Sequence, residues 1–353
     1  MPNIIFSVTV YDCTFLGYCR GDILKGDTFT ATCEYNGSSV SCEGLLKPGT
    51  QARITCQRGY KKINRIVQEV LSCDDFGKWD YSPFRCEPIC GVENVESAPL
   101  ILGGARPELN VVPWHAAIYM ARQNGYEHIC GGTIINAKVI VSAAHCFWLE
   151  DSNKIVNNSL LTVACGKLYQ KISAEEPFPV QYLNVSNIHV LITYPWNRLT
   201  NHHMNDIAIL VLGNKIQFGS NVRPICLQWF NYHEKYMSSG IVGRLVGWRS
   251  TGTELARNEV RMAELSTVSY HDCRNAVESQ FRHFVSADKF CVASPDGGMP
   301  CQGDAGSGFV VPKDIDGVKT YFLAGVVSTA LTNGGQCPGN YTTLTNIHFK
   351  KFQ

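Results

Sequence analysis

This sequence has almost no net charge: 31 basic against 30 acidic side chains leave a formal +1. That balance gives no electrostatic basis for binding nucleic acid or an anionic membrane surface. No stretch approaches the apolar length of a membrane span. The opening run Met1-Pro2-Asn3-Ile4-Ile5-Phe6 lacks a basic leader, a long apolar core and a small-residue cleavage site. It is not a complete signal peptide, and it reads as the truncated start of a fragment of a longer secreted protein. No Cys-x-x-Cys pair occurs, which argues against zinc although cysteine is abundant. Nothing in the pattern calls for another metal or for a cofactor.

What is present is cysteine. Sixteen in 353 residues, an even number, reads as a disulfide framework made in an oxidising compartment. Asn-x-Ser/Thr sequons begin at Asn36, Asn157, Asn184 and Asn340, which fits a secreted glycoprotein. A hydrophobic content of 45% and a charged content of 17% are globular values, and the length allows two or three domains.

The cysteines divide unevenly, half of them falling between Cys13 and Cys90 and the rest between Cys130 and Cys337. So short a first region buries little apolar surface and depends on its disulfides, each contributing about 2–4 kcal/mol. Residues 1–41 read as a cysteine-rich segment. Residues 42–89 carry Cys56-Gln57-Arg58-Gly59-Tyr60, then Cys73, Gly77-Lys78-Trp79 and Pro83-Phe84-Arg85-Cys86, with a short alternating strand over Ala52 to Cys56. That succession resembles a complement-control (sushi) module. The resemblance implies a Cys56–Cys86 pair and a partner for Cys73 among Cys13, Cys19, Cys33 and Cys42, between which the sequence does not choose. Residues 90–100, Cys90 to Leu100, lack periodicity and read as a linker. From Ile101 to Gln353 short β-type runs recur, at His115–Met120, Thr133–Ser142, Ile207–Leu212 and Tyr321–Ser328. Helical periodicity is scarce, with one candidate at Tyr270–Glu278. This texture predicts an all-β, antiparallel Greek-key barrel architecture.

Three blocks carry chemistry: Val141-Ser142-Ala143-Ala144-His145-Cys146, Asn205-Asp206-Ile207-Ala208-Ile209-Leu210, and Cys301-Gln302-Gly303-Asp304-Ala305-Gly306-Ser307-Gly308. The order His, Asp, Gly-Asp-x-Gly is that of one serine-protease triad. An imidazole takes a proton, a buried carboxylate fixes its tautomer, and a tight turn presents a nucleophile. Together the blocks resemble the chymotrypsin-like serine proteases. The resemblance implies a double six-stranded Greek-key β-barrel spanning residues 101–353, with His145 as general base and Asp206 as its orienting carboxylate. It also implies an oxyanion hole from the backbone N–H groups of Gly303 and Ala305. At one point the sequence departs from the family: Ala305 stands where the nucleophilic serine belongs. Alanine has no oxygen to attack a carbonyl, and losing the nucleophile of such a triad costs on the order of 10⁶ in kcat. Ser307 lies two residues past the turn that aims a nucleophile, so its hydroxyl is not expected to face His145.

Ile101-Leu102-Gly103-Gly104 resembles the family's activation site. It implies cleavage after Leu100 and insertion of the freed Ile101 amine to pair with Asp304, so the uncut chain is a zymogen. The family pattern further implies Cys130–Cys146, Cys273–Cys291 and Cys301–Cys337 within the protease domain, and Cys90–Cys226 as a tether for the N-terminal part. Cys165 is left over, with an odd cysteine of the N-terminal module as its candidate partner. Met299, six residues before Ala305, matches the base of the primary specificity pocket, grouped there with Ser328 and Gly339. A thioether suits an apolar substrate residue, and wall packing is the alternative reading of Met299. Leu100 is apolar too, so an active parent would activate itself. Ser328-Thr329-Ala330 departs from the family's Ser-Trp-Gly, which alters the substrate groove.

The whole chain resembles the C-terminal part of the insect modular serine proteases, in which LDL-receptor-like repeats precede a sushi module, a second cysteine-rich module and the protease domain. This implies a secreted haemolymph protein that initiates the proteolytic cascades leading to Toll signalling and melanisation. Its partners would be an upstream recognition protein for microbial patterns and, as substrate, a downstream clip-domain protease zymogen. The family continues past the equivalent of Gln353 into a terminal helix, so a C-terminal truncation is expected. Two classes follow: a serine endopeptidase zymogen made inert at Ala305, or a natural non-catalytic homologue acting as a binding or regulatory module. The retained His145, Asp206, Asp304 and activation motif favour the first.

Overall fold

The computed structural model describes residues 17–63, 68–93, 112–149, 152–190, 204–227, 239–248, 259–294, 303–331 and 341–347. The chain divides into two units, residues 1–88 and 89–353. Antiparallel strands build both, and the α-helix Tyr270–Ala276 (α1) is only seven residues long.

In the first unit, β1 (Phe29–Tyr35), β2 (Ser38–Val40), β3 (Gln51–Cys56) and β4 (Val70–Ser72) form a sheet in the order β2-β1-β3-β4. Asn36-Gly37, with φ of 50° and 75°, turns β1 into β2; Asn-Gly tolerates this left-handed pair and so favours a tight hairpin. Alternation along β3 sends Ala52 and Ile54 inward. There they meet Leu24, Leu46, Leu71 and Phe84, a core small enough to need covalent support. Disulfides join Cys19 to Cys73, Cys33 to Cys42 and Cys56 to Cys86, so Cys19 is the partner of Cys73. The Trp79 indole packs on this cluster and donates to the Arg20 carbonyl at 3.0 Å.

In the first unit, contacts cross the expected boundary at residue 42. β1 pairs with β3 from Phe29 to Glu34, and Cys19, Leu24 and Cys33 share one core with Phe84 and Cys86. Neither half could bury its apolar face without the other. Cys13 lies outside the described residues.

In the second unit, one barrel is built from β5 (His115–Arg122), β6 (Gly125–Asn136), β7 (Val139–Ser142), β8 (Leu161–Cys165), β9 (Gln181–Val190) and β10 (Ala208–Leu212). They close in the order β6-β7-β10-β9-β8-β5. A second barrel uses β11 (Val242–Gly247), β12 (Arg261–Val268), β13 (Lys289–Ala293), β14 (Gly308–Ile315), β15 (Val318–Leu331) and β16 (Tyr341–Asn346). Its order is β11-β12-β13-β16-β15-β14, around a core of Leu245, Leu265, Phe290, Phe309 and Leu344. Closure leaves no edge strand in either barrel.

The run Thr133–Ser142, expected as one strand, is two. The Asn136 carboxamide accepts the Lys138 N–H at 2.8 Å and reverses the chain between β6 and β7, a local side-chain turn that Asn readily makes. Disulfides join Cys90 to Cys226, Cys130 to Cys146 and Cys273 to Cys291. Cys165 is a buried thiol in β8 with no disulfide partner among the described residues. Residues 90–93, placed in the expected linker, are anchored to the second unit. Gly91 donates to the Pro224 carbonyl and accepts from the Tyr321 N–H, and Glu93 pairs with Arg244 at 2.6 Å. Cys301 and Cys337 lie outside the described residues. No helix among the described residues is long and apolar enough to cross a membrane.

Candidate active site

His145 sits in a 3-10 turn, Ala144–Phe147, that follows β7 and is pinned by the Cys130–Cys146 disulfide to β6. Asp206 leads into β10, the strand paired with β7, so the two chain ends emerge side by side. The Asp206 carboxylate is fully buried and receives two bonds from the histidine. Oδ1 accepts the His145 backbone N–H at 2.9 Å and Oδ2 meets His145 Nδ1 at 2.8 Å. The imidazole remains partly exposed. A carboxylate so placed makes Nδ1 the protonated nitrogen and leaves Nε2 as the basic one.

The second barrel supports that carboxylate. Ser328 Oγ, on β15, donates to Asp206 Oδ2 at 2.6 Å, and Lys289 Nζ, at the start of β13, donates to Ser328 Oγ at 2.8 Å. Asn205, in the left-handed conformation, donates its N–H to Asp288 Oδ2 at 2.6 Å, which fixes the approach to Asp206. Burial pushes the Asp206 pKa up, but the charge and hydrogen bond of His145, the charge of Lys289 and the Ser328 hydroxyl outweigh it. Together they hold Asp206 well below the usual carboxylate range.

The Gly303–Ser307 turn lies against the same strands. The Gly131 N–H donates to the Ala305 carbonyl at 2.8 Å, the Gly306 N–H to Val327 at 2.9 Å, and the Ser307 N–H to Asp304 at 3.1 Å. Gly306 has φ of 81° and leaves no room for a β-carbon beside Ser142, so this position of the turn requires glycine. Gly303 has a φ of 102° and is half-buried, as is Ala305, while Asp304 is fully buried against Gly247. The Ser307 hydroxyl is buried against Gly131 near the His115 ring.

Cys130, His145 and Cys146 present their ligand-type atoms within 4.8 Å of one another, but the two sulfurs are bonded to each other and offer no thiolate. Ser328, grouped with the specificity pocket, spends its hydroxyl on Asp206, so only its backbone remains for a groove. Asn36, Asn157 and Asn184 are exposed. Leu100, Ile101, Met299, Gly339 and Asn340 lie outside the described residues. Asp288 and Lys289 escaped sequence reasoning because an Asp-Lys pair before an apolar strand reads as a solvated strand end.

The Trypsin profile matches residues 101–351, and the Sushi repeat (SCR repeat) profile matches residues 33–86. The chain belongs to the Trypsin family. It combines a trypsin-like serine protease domain of two six-stranded barrels with a sushi module. A Drosophila melanogaster protein named modular serine protease is 27% identical over 92% of this chain and 51% of its own length. Clotting factor C of Tachypleus tridentatus is 27% identical over 87% of this chain and 30% of its own length. Mannan-binding lectin serine protease 1 of Rattus norvegicus is 26% identical over 79% of this chain and 39% of its own length. This trypsin-family chain therefore spans about half or less of each of these relatives.

Proposed function

We propose that this chain is part of a secreted modular serine endopeptidase zymogen that starts an innate-immune proteolytic cascade and cleaves after apolar residues. Ala305 makes it inert as it stands. The observation that carries the reading is the buried Asp206 carboxylate bonded twice to His145, with the Ala305 turn hydrogen-bonded to Gly131 next to the Cys130–Cys146 bridge. In this reading His145 is the general base, Asp206 orients it and stabilises the imidazolium, and the Gly303 and Ala305 N–H groups bind the oxyanion. Cleavage after Leu100 lets the Ile101 amine pair with Asp304 and completes the hole. Met299 floors a pocket for an apolar side chain.

Relatives named for clotting, for mannan-binding lectin and for melanization support a place in a proteolytic cascade, which this reading puts in the haemolymph. The upstream partner would be a recognition protein for microbial patterns, and the substrate a downstream clip-domain zymogen. Ala305 itself favours a second reading, a natural non-catalytic homologue that binds or regulates. Restoring the hydroxyl separates the two. An Ala305→Ser chain cut after Leu100 should hydrolyse peptides with Leu, Phe or Met before the scissile bond, with kcat raised on the order of 10⁶. An inert revertant supports the binding module. Comparable kcat/KM for Arg and Leu substrates refutes the apolar pocket.

A further inference from the structure

Lys289 is a group that the triad chemistry does not require. It is 1% exposed, whereas lysine almost always keeps its ammonium in water. Its Nζ donates to Ser328 Oγ at 2.8 Å. Ser328 Oγ gives its single proton to Asp206 Oδ2 at 2.6 Å, so it meets the lysine with a lone pair. Asp206 Oδ2 is the same oxygen that holds His145 Nδ1 at 2.8 Å. Cation, hydroxyl, carboxylate and imidazole thus form one unbroken line.

Among the described residues, the charged groups facing this line are Asp206 and His145 from the first barrel and Asp288 beside the lysine. Asp288 is already occupied: its two oxygens accept from the Asn205 N–H and the Ser286 hydroxyl, each at 2.6 Å. Lys289 feels the charge of both carboxylates, Asp206 the more strongly, and its hydrogen-bonded route through Ser328 leads to Asp206.

We propose that Lys289 is a positioning residue that, through Ser328, shares the Asp206 carboxylate with His145 and so keeps the imidazole a weaker base than Asp206 alone would make it. The inference rests on reading His145 and Asp206 as the general-base pair. A carboxylate that serves an imidazole alone favours the imidazolium. A cation one hydroxyl away draws off part of that field and repels the imidazolium, in an interior that salt screens poorly. Burial lowers the Lys289 pKa, while the charges of Asp206 and Asp288 oppose the loss of its proton. The consequence is a base that stays deprotonated, and therefore usable, in more acidic fluid.

The test needs no catalysis. The His145 ring is titrated by NMR in the chain as it stands, its signal assigned by its loss in His145→Gln. The same titration is run on two variants: Lys289→Met removes the charge and keeps the stem, and Lys289→Gln removes the charge and keeps an N–H donor. Both should move the His145 midpoint to higher pH by about one unit, the size expected of a unit charge at this remove with an effective dielectric of about 20. An unchanged midpoint in either folded variant overturns the proposal, because a merely structural lysine, or one acting only as a donor, would leave at least one of them unmoved. If the methionine variant does not fold, the glutamine variant alone decides. An inert Ala305→Ser chain would count against the general-base reading and leave the titration result standing on its own.

Discussion

Acid should destabilise the second unit through two imidazoles that the proposed chemistry does not use. His115 on β5 and His128 on β6 flank the Trp248 indole, with ring centroids 5.0 and 4.8 Å from it, and the Nε2 atom of each is buried without a hydrogen-bond partner. Burial, then repulsion from His128, lowers the His115 pKa to about 3. Burial lowers His128 to about 4, against a backbone hydrogen bond at Cys130. Both folded values lie below the ordinary value of 6.5. The unfolded chain therefore binds more protons in between. The stability that neutral burial allows is whole above about pH 6.5 and is lost progressively as pH falls towards the folded values. Between pH 7.5 and pH 5 each imidazole should remove about 2 kcal/mol, which lowers the Tm of a unit this size by about 4–8 °C. Asp206 does not share this window: its depressed pKa keeps its contribution intact until pH falls through the carboxylate range. Calorimetric melting at the two pH values would measure the drop. His115→Gln should recover about half of it, and His115→Gln with His128→Gln nearly all. An equal drop in parent and double variant would refute the reasoning.

The chain as it stands, cut after Leu100 by an added protease, should show no peptidase activity, whereas turnover that His145→Ala abolishes would point to another nucleophile. An Ala305→Ser form should nick itself at Leu100-Ile101, while the alanine form stays single-chain; N-terminal sequencing that finds a different new terminus would refute this. The cut pieces should migrate together without reductant and part with it, since Cys90 is bonded to Cys226; separation without reductant would contradict the tether. Burial pushes the Cys165 thiol up to about 12, so thiol reagents should label it only after unfolding, and rapid labelling of the native chain would overturn that expectation.

The approach of His145 to Asp206 is legible in the sequence because triad chemistry restricts residue type at each place. Each of the two also stands beside an apolar run that can only be a barrel strand. The same holds for the β3 alternation, which sends Ala52 and Ile54 inward. The run Thr133–Ser142 misleads for a local reason. Its reversal is made by the Asn136 side chain and carries no glycine or proline to announce it.

The harder features are not local. The boundary at residue 42 follows the sushi resemblance, yet the first unit closes through a disulfide from Cys19 to Cys73 and through β1 on β3. No window shorter than the unit holds both partners. Lys289 is hidden in the same way. Beside Phe290-Cys291-Val292 it reads as a strand end in water, and only the meeting of β13, β15 and the lead into β10 seals it. His115 and His128 look like ordinary strand residues until Trp248 arrives from another element to close over both. In each case the side chain's chemistry is ordinary and its environment is supplied from a distance. Polar groups buried in this way remain where they are because partners have been arranged for them, or because neutrality has been accepted at the expense of acid stability. Lys289 is the first kind and the His115–His128 pair the second, so acid should weaken the fold through one while the other keeps the candidate base usable.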